Sequence, residues 1–531
     1  MHDSALTAGS GALLSDDERR AAVRRAWIGF IAMIFGNFMA ILDIQIVASS
    51  LNEIQAGLSA SADEIAWVQT AYLIAEVIAI PLSGYMSRML STRVFFVICA
   101  FGFTLASLAC ALSWNLQSMI VFRVFQGFLG GGMIPTTMAA LMMVFPPEKR
   151  TLPMVLIGMV STMGPSLGPT LGGYLTTTMS WHWMFLINLV PGPIVAIAVW
   201  NLLRIDRPDR SLWRLLDVTG LVLMGVFLGS LEYILDEGPR HDWLQDRSVA
   251  LFCAVTVASG VLFFWRSFTS ANPIVGLRVF ANRNFAAGSV IAFVVGFSMY
   301  GMVYLLPLFL GRVRGFNSLQ IGQVMMVMGL AMFFTAPLVG RLSTLLDARL
   351  LVGGGMAMAA LGVWLNSHMT ADTGWDQLFV PQLLRGAGII CCMISMTHIA
   401  LGTLAGDEVK NASGLFNLMR NVGGAIGLAL LNTGMNWRHS FHWSHLASSI
   451  SLSRQPVREA LSGASGMLSP ELGGGAQAGA VAMIAQRVNQ QAMTMTFNDL
   501  MWLLAMLMFA TLLLMPLMDK PRTVGAAAGG H

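Results

Sequence analysis

Three charged residues near the start of the chain stand inside long apolar runs. Asp43 and Glu76 are flanked by Leu, Ile, Ala and Val, and Arg123 is followed closely by Gln126 and Gly127. Burial favours the neutral form of a carboxylate, whereas a nearby arginine favours the charged form. A carboxylate in that balance can take up and release a proton near neutral pH. We therefore expect Asp43 and Glu76 to relay protons together with Arg123.

Arg123 needs a partner, because a charge at mid-membrane depth costs at least about 2.5–3.5 kcal/mol. The candidates are Asp43, Glu76, Glu232 and Asp236. Alternatives stay open for each residue. Arg123 could snorkel to the interface, and Glu76 could make a purely structural hydrogen bond. Glu232 and Asp236 could lie at a helix end among lipid headgroups, and for Asp236 we favour that position.

Glycine and proline are concentrated in residues 164–173, which read Gly-Pro-Ser-Leu-Gly-Pro-Thr-Leu-Gly-Gly. Proline removes a backbone hydrogen bond, and glycine lets a neighbouring helix approach closely. Plain helix packing is the alternative, but helix breakers within lipid need neighbours to satisfy the freed backbone groups. We expect a pivot or seal between two halves of the molecule. Its residues are Gly164, Pro165, Gly168, Pro169, Gly172 and Gly173.

Aromatic and methionine side chains could form an adaptable apolar cavity. The candidates are Phe38, Met39, Phe297, Met299, Tyr300 and Tyr304. At helical spacing such residues are more often packing than pocket, so both interpretations stay open.

The elements that position these residues follow from composition. Of 531 residues, 56% are apolar and only 11% are charged, and the mean hydropathy is +0.68. This excludes a soluble enzyme, a nucleic-acid binder and a disordered scaffold. The five cysteines lie in apolar runs without metal-ligand spacing, so we expect buried thiols, no disulfide and no metal site.

Apolar runs of about 20 residues predict fourteen membrane spans. They are 26–48, 65–86, 93–112, 116–141, 152–175, 184–203, 217–236, 249–268, 287–310, 320–341, 349–366, 378–403, 413–433 and 498–518.

The basic residues orient the spans. With a cytoplasmic N-terminus, 20 of the 31 lysines and arginines fall on the inside and 8 on the outside. The remaining three, Arg123, Arg385 and Arg420, lie within spans. This bias predicts that both termini are cytoplasmic.

The longest non-membrane segment is 434–497, which we place outside. It is too long for a simple turn, and contains helix-like stretches such as 476–496. A floppy loop and a docking surface are equally favoured. Its His439, His442 and His445 are more typical of a solvated cluster than of a metal site.

Several motifs together resemble the fourteen-span drug:proton antiporter group of the major facilitator superfamily, of the EmrB/QacA type. They are Leu42-Asp43, Arg123-x-x-Gln126-Gly127, Gly164-x3-Gly168-Pro169-x2-Gly172-Gly173, Trp181 to Asn188 with Pro191-Gly192, and Leu235-Asp236-x-Gly238 with Asp242-Trp243. The resemblance covers nearly the whole chain.

The resemblance implies an all-α polytopic membrane protein with two six-helix bundles, two extra spans and fourteen transmembrane helices. Asp43 and Arg123 would form the coupling pair, supported by Gln126 and Gly127, and the 164–173 glycines would form a bend between domains. The implied domains are a tail 1–25, a bundle 26–203, inserted spans 204–286, a bundle 287–518 and a tail 519–531.

The external segment resembles the EmrB branch in particular. That branch exports through a periplasmic adaptor protein and an outer-membrane channel, so we expect both as partners, in addition to the lipid bilayer. The expected location is the bacterial inner membrane.

One motif departs from the superfamily pattern Gly-x-Leu-x-Asp-Arg-x-Gly-Arg. In the loop after the second span, Arg88 replaces the usual acid and Ser91 replaces the second glycine. A degenerate echo begins at Gly340 in the other half. The acid-based latch to a neighbouring helix is therefore not expected from this loop.

The leading hypothesis is a proton-coupled exporter of amphipathic toxic compounds that works by alternating access. The alternative is a proton-coupled exporter of one endogenous compound, such as a fatty acid or siderophore. A membrane enzyme is not indicated, because the HExxH motif is missing and no predicted span contains a cluster of histidines and acids. A channel would not need buried opposite charges on several helices. No cofactor and no nucleic-acid partner are expected, and the energy source would be the proton gradient.

Overall fold

The computed structural model describes residues 16–61, 64–65, 67–146, 149–209, 211–212, 217–270, 273–316, 318–404, 406–451, 453–472 and 475–519. This part of the chain contains seventeen α-helices. They are α1 (Asp16–Ser49), α2 (Leu51–Leu58), α3 (Trp67–Leu90), α4 (Thr92–Ala111), α5 (Leu116–Val144), α6 (Thr151–Thr178), α7 (His182–Leu186), α8 (Pro191–Leu202), α9 (Val218–Glu237), α10 (Arg247–Thr269), α11 (Arg283–Arg312), α12 (Ser318–Leu345), α13 (Ala348–Asn366), α14 (Trp375–Gly402), α15 (Gly406–Ser448), α16 (Gln455–Leu472) and α17 (Ala476–Ala510).

Thirteen stretches of the described residues are helical, long and apolar enough to cross a membrane. They correspond to every predicted span except the fifth. That span, 152–175, coincides with α6, a helix of 28 residues that is long enough to cross a bilayer. The chain therefore has the all-α, polytopic architecture that the sequence predicts.

Side-chain caps fix where several spans begin. Asp217 accepts a hydrogen bond from the backbone of Gly220 at the start of α9, and Asn282 accepts two at the start of α11. Asn115 and Ser118 form a reciprocal capping box at the start of α5. These polar residues satisfy backbone groups that a helix leaves unpaired at its ends, so each span starts at a defined residue.

Two groups of helices pack around separate centres. In the N-terminal half α1 packs on α6, α8 and α5, and α3 and α4 pack on α5. In the C-terminal half α11 packs on α15, and α14 packs on α12 and α13. The halves meet along a seam, where α3 and α5 contact α15 on one side and α6 contacts α12 and α14 on the other. The inserted helices α9 and α10 pack together, and α9 lies against α3 and α15.

The two halves are in close contact at the side of the bundle where α3 and α5 terminate. We call this side the basic end, because the linkers there carry most of the arginines. The Ser413 hydroxyl donates to the Pro135 carbonyl 3.4 Å away, and Gly414 lies against the Ile80 backbone. One apolar cluster joins Phe145 of the first half to Met393 of the second. At the opposite end, the apolar cluster around Ile46 contains residues of the N-terminal half alone.

Most of the described part of segment 434–497 is helical, and the predicted helix-like stretch 476–496 lies within α17. A floppy loop, one of the two alternatives, is therefore wrong for most of it. Helix α15 runs 43 residues without a break, and α16 packs on the extended α17. Asp499 of α17 is ion-paired with Arg438 of α15 and lies 2.7 Å from His442. His442 is buried and only His445 is fully exposed, so the three histidines do not form one solvated cluster.

Close contact between α11 and α15 gives a test of this packing. A Cβ at Gly296 would collide with the backbone carbonyl of Arg420, whereas a Cβ at Gly354 of α13 would meet nothing within 4 Å. Gly296→Ala should lower the free energy of unfolding by about 1–3 kcal/mol through overpacking, and Gly354→Ala should not lower it. Unfolding temperatures of the two variants in detergent check this. Equal temperatures would contradict the packing described here.

Candidate coupling site

A fully buried ion pair lies at the centre of the N-terminal half. Arg123 Nη1 of α5 lies 2.7 Å from Asp43 Oδ2 of α1, and neither side chain is accessible to solvent. Of the four acids considered as partners, the structure selects Asp43. Snorkelling is excluded, since the guanidinium is enclosed by the bundle.

Two amide side chains complete the coordination of Asp43. Gln126 Nε2 donates to Asp43 Oδ1 at 3.0 Å, and Asn188 Nδ2 donates to the same oxygen at 2.9 Å. The Ser107 hydroxyl of α4 accepts from both amides. The carboxylate therefore has three donors, which offset the cost of burying its charge.

Arg123 also links the pair to α3. Its Nε donates to the Val68 carbonyl at 3.0 Å, and its guanidinium lies 4.2 Å from the centroid of the Tyr72 ring. Its Nη1 donates to Gln126 at 2.8 Å, while Nη2 has no partner among the described residues. One guanidinium thus holds α1, α3 and α5 together.

Glycines on α5 permit this geometry. A Cβ at Gly127 would collide with the Tyr72 backbone carbonyl, and one at Gly131 would lie 2.7 Å from the Glu76 carbonyl oxygen. The two backbones therefore approach more closely than any larger residue allows. Gly127 supports the pair by bringing α3 within reach of Arg123.

Sequence reasoning missed Asn188, Ser107 and Val68 as members of this network. Asn188 lies between Ile187 and Leu189 at the end of the Trp181 to Asn188 motif. A polar residue within this apolar run could have indicated a buried polar contact. Ser107 had a weaker signal of the same kind. Val68 contributes only a backbone carbonyl, which side-chain patterns cannot reveal.

Glu76 lies apart from this pair, at the seam. It is 4% exposed and lines a small enclosed space with Tyr300, Arg420, Asn421 and Gln45. The space measures about 30 Å³, enough for one water molecule. Glu76 belongs to the N-terminal half and Arg420 to the C-terminal half, so opposite charges face each other across the seam without forming an ion pair.

Of the six predicted cavity residues, Met299 and Tyr300 line this space. Met39 is packed into the core of the N-terminal half, and Phe38 packs beside a second core there. Phe297 contacts Gly427 of α15, and the Tyr304 hydroxyl lies 3.4 Å from Asn432. These four are packing residues in this conformation, because helix rotation directs them away from the central space.

The glycines of the 164–173 motif face their own half. Gly164 lies against Ile41 of α1, Gly168 lies against Gln45, and Gly173 faces open space. Nearer the start of α6, Gly158 contacts Ile390 of α14, and Met154 and Ile157 lie in an apolar cluster that both halves share. The glycines that were predicted to form a bend between domains therefore permit close contact between α6 and α1 in this conformation. Gly172 lies in the same helix, and the side chains of Pro165 and Pro169 lie outside the described residues.

The loop after α3, which lacks the usual acid, is followed by Thr92, and an acid from another segment contacts that residue. Asp206, in the linker after α8, accepts hydrogen bonds from the backbone and hydroxyl of Thr92 at 2.8–3.1 Å. The Arg88 carbonyl accepts from the Asp209 backbone at 3.1 Å in the same linker. The linker between the first half and α9 therefore closes over this loop.

The remaining charged residues within spans differ in environment. Arg385 is 1% exposed, its Nη2 contacts the Met328 sulfur, and its Nε and Nη1 have no partner among the described residues. Glu232 is 6% exposed, so the alternative of a helix end in headgroups was wrong for it. Asp236 lies in the last turn of α9, as favoured, and accepts a hydrogen bond from Thr70.

Among the described residues, no group of three or more His, Cys, Asp or Glu could hold a metal ion.

Known proteins with similar sequences cover nearly the whole chain. The colistin resistance protein EmrB of Acinetobacter baumannii is 51% identical over 503 residues, covering 95% of this chain and 98% of that protein. The multidrug export protein EmrB of Escherichia coli K12 is 30% identical, covering 94% and 96%. The fatty acid resistance protein FarB of Neisseria gonorrhoeae is also 30% identical, covering 95% and 98%.

The fold has solved counterparts. A bacterial homologue of the human lysosomal transporter Spinster, in an inward-facing and unoccupied conformation, superposes with a TM-score of 0.53 at 15% identity, covering 94% of this chain and 99% of that one. The Major Facilitator Superfamily profile matches residues 33–428. The coverage, the helical architecture and the close relatives agree: the chain is a transporter, not an enzyme, and belongs to the major facilitator superfamily as an EmrB-type member.

Proposed function

We propose that this protein is a proton-coupled exporter that moves amphipathic toxic compounds out across the bacterial inner membrane by alternating access. The observation that carries the proposal is the buried network of Asp43 and Arg123. This carboxylate is fully enclosed and has one arginine and two amides as donors. A change in its charge would therefore change the strength of these hydrogen bonds. The proton gradient supplies the energy, and no cofactor is required.

Protonation of Asp43 would weaken its contact with Arg123. The guanidinium would then keep only Gln126 and the Val68 carbonyl as hydrogen-bond partners. Val68 belongs to α3, which contacts α15 at the seam. A shift of Arg123 would therefore change a hydrogen bond to a helix that lines the seam. Protonation is thereby coupled to the contact between the halves, which is the requirement for a transporter driven by protons.

We propose that the basic end faces the cytoplasm, with both termini on that side, in keeping with the positive-inside rule. The closed contacts at Ser413 and Gly414 then seal the cytoplasmic side in this conformation. Residues 26–203 and 287–518 are the two units that would rock against each other to open it. A substrate would enter the central space next to Tyr300 only after the halves separate, because about 30 Å³ is too small for a drug-sized molecule.

A narrower substrate range is the alternative function. The relative FarB is named for fatty acid resistance, which favours an exporter of one amphipathic compound such as a fatty acid. Arg420 at the central space would suit a carboxylate. Competition for export between a long-chain fatty acid and a cationic dye separates the two functions, since only a broad exporter handles both.

The helical extension formed by α16 and the outer parts of α15 and α17 is the proposed docking surface for a periplasmic adaptor protein, which would connect to an outer-membrane channel. It is braced by the pairing of Arg438 with Asp499 and of His439 with Asn489. Met467 on α16 is 78% exposed, so an apolar contact remains available outside the membrane.

Asp43→Asn should abolish proton-driven export. The variant keeps the size of the side chain but cannot change charge, so we expect uncoupler-sensitive efflux of a cationic dye to fall by about tenfold or more. The measurement is dye efflux from cells at matched protein levels, with and without an uncoupler. Loss of one ion-pair partner also costs about 3–5 kcal/mol, so the unfolding temperature is measured in parallel.

The matched control is Asp376→Asn, which removes an exposed carboxylate at the start of α14. It should leave efflux unchanged. Wild-type efflux by Asp43→Asn at equal expression would overturn the assignment of Asp43, and wild-type efflux that ignores the uncoupler would overturn proton coupling altogether.

Replacing residues 451–474 by a short Gly/Ser linker tests the docking surface. In intact cells that carry their adaptor and channel, drug resistance should fall to the level of cells without the transporter. In spheroplasts, where export across the inner membrane is sufficient, efflux should stay within about twofold of wild type. If both assays fall together, the extension serves folding or transport itself and the adaptor proposal fails.

A further inference from the structure

Helices α1, α8 and α4 lie side by side and share one exposed surface of the N-terminal half. Helix α8 packs on both of the others. It runs antiparallel to α1, because a Cβ at Gly29 would lie 3.0 Å from Leu203 and one at Gly36 would lie 3.2 Å from Val195. The linker after α8 contacts the loop after α3, so α8 ends at the basic end. Helices α1 and α4 begin at that same end.

Each of the three helices exposes an apolar stripe close to the basic end. The exposed residues of a stripe are three apart, which places them on one face of their helix, and each is between 46% and 61% exposed. They are Ile28 and Ile31 on α1, Ile197 and Trp200 on α8, and Ile98 and Phe101 on α4. A spanning helix exposes such side chains to acyl chains. We call these six residues the outer apolar surface.

An arginine lies at the basic end of each stripe. Arg24 lies one helical turn before Ile28, and Arg204 lies two residues beyond the end of α8. Arg93, in the first turn of α4, reaches across to α8. Its guanidinium lies 4.7 Å from the centroid of the Trp200 ring, and its Nη1 donates to the Trp200 carbonyl at 3.3 Å. The contact with Trp200 holds this charge at the border of the outer apolar surface.

Carboxylates of the protein do not balance these three charges. Arg24 and Arg204 are exposed, and within the described part of the chain Arg24, Arg93 and Arg204 form no ion pair. Asp206 follows Arg204 closely in the linker, but its carboxylate accepts hydrogen bonds from Thr92. The surface therefore presents three positive charges next to exposed apolar side chains.

The C-terminal half has a balanced arginine at the corresponding position. Arg349 is the second residue of α13, as Arg93 is the second residue of α4. The residue that caps α13 is Asp347, and its Oδ2 lies 3.1 Å from Arg349 Nη2. The residue that caps α4 is Ser91, which carries no charge. An arginine at this position is thus neutralised within the protein in one half and left for an external anion in the other.

We propose that the outer apolar surface binds an anionic phospholipid of the leaflet at the basic end. The phosphate group lies among Arg24, Arg93 and Arg204, and the acyl chains lie along the stripes. Guanidinium groups suit this role because they bind phosphate oxygens in bidentate geometry, and basic residues at the membrane surface attract anionic headgroups. The proposal is independent of the compound that is exported and of the driving force.

The position of the arginines favours a phospholipid over a soluble phosphate. The stripes begin within about one helical turn of the charges, so a phosphate bound there brings its attached chains onto apolar side chains. The charges also select among lipids. Three guanidinium groups attract the net negative charge of an anionic headgroup and repel the ammonium group of a zwitterionic one.

Native mass spectrometry of the purified full-length protein in detergent tests the site. The protein is titrated with phosphatidylglycerol or phosphatidylcholine that carries the same acyl chains. For the wild type, the Kd of the first bound lipid should be about tenfold lower for phosphatidylglycerol. Arg93→Gln combined with Arg204→Gln should raise that Kd about tenfold and leave the Kd for phosphatidylcholine within about twofold. Arg93→Lys combined with Arg204→Lys should keep the preference, because both charges remain.

Arg349→Gln is the matched control, because it removes an arginine at the same helix position whose charge Asp347 already balances. It should bind both lipids as the wild type does. An unchanged lipid preference in the double glutamine variant, or an equal loss in Arg349→Gln, overturns the proposal. The unfolding temperature of each variant is measured in parallel, so that loss of the fold is not read as loss of lipid.

Glycerol 3-phosphate provides the headgroup phosphate without acyl chains. At millimolar concentration it should not displace phosphatidylglycerol from the wild type, because the apolar contacts are missing. Displacement at that concentration identifies a site for soluble phosphates and contradicts the assignment to a lipid.

Discussion

The cost of burying a guanidinium in a lipid-surrounded bundle constrains the whole N-terminal half. Arg123 has no access to water, so its charge must be balanced by groups brought from other helices. Asp43 comes from α1, the Val68 carbonyl from α3 and Ser107, through the amides, from α4. Gly127 lets α3 come close enough for this to happen. The network around this one ion pair therefore connects four helices.

The C-terminal half is built on a different principle. Its buried Arg385 contacts a methionine sulfur, and no acidic partner for it appears among the described residues. Its helices are held by close backbone contacts instead, as at Gly296 and Gly423, where α11 and α15 touch. The buried ion pair of Asp43 and Arg123 lies in the N-terminal half. The C-terminal half places the charge of Arg420 at the seam. Arg420 and Glu76 therefore lie on opposite sides of the contact between the halves.

The inserted hairpin adds acids to this asymmetric arrangement. Helix α9 covers one side of the seam and carries Glu232 inward and Asp236 outward. Within the described part of the chain, neither α9 nor α10 packs extensively on α6 or α12 at the other side of the seam. The linker that leads into the hairpin also supplies Asp206, which contacts Thr92 after the loop that follows α3. The inserted hairpin and its linker thus contact the first half at both ends of the helical bundle.

The sequence by itself determined the approximate positions of the spans, the charges within them and the family, because a bilayer demands long apolar helices and leaves each exception visible. It did not determine which acid pairs with Arg123, since residues 80 positions apart meet only through helix rotation and register. Nor did it reveal that Met39 is packing, that Gly164 faces its own half, or that α15 continues as helix to Ser448. In a membrane helix that is apolar on all sides, periodicity does not show which face is buried, so only the tertiary packing decided these points.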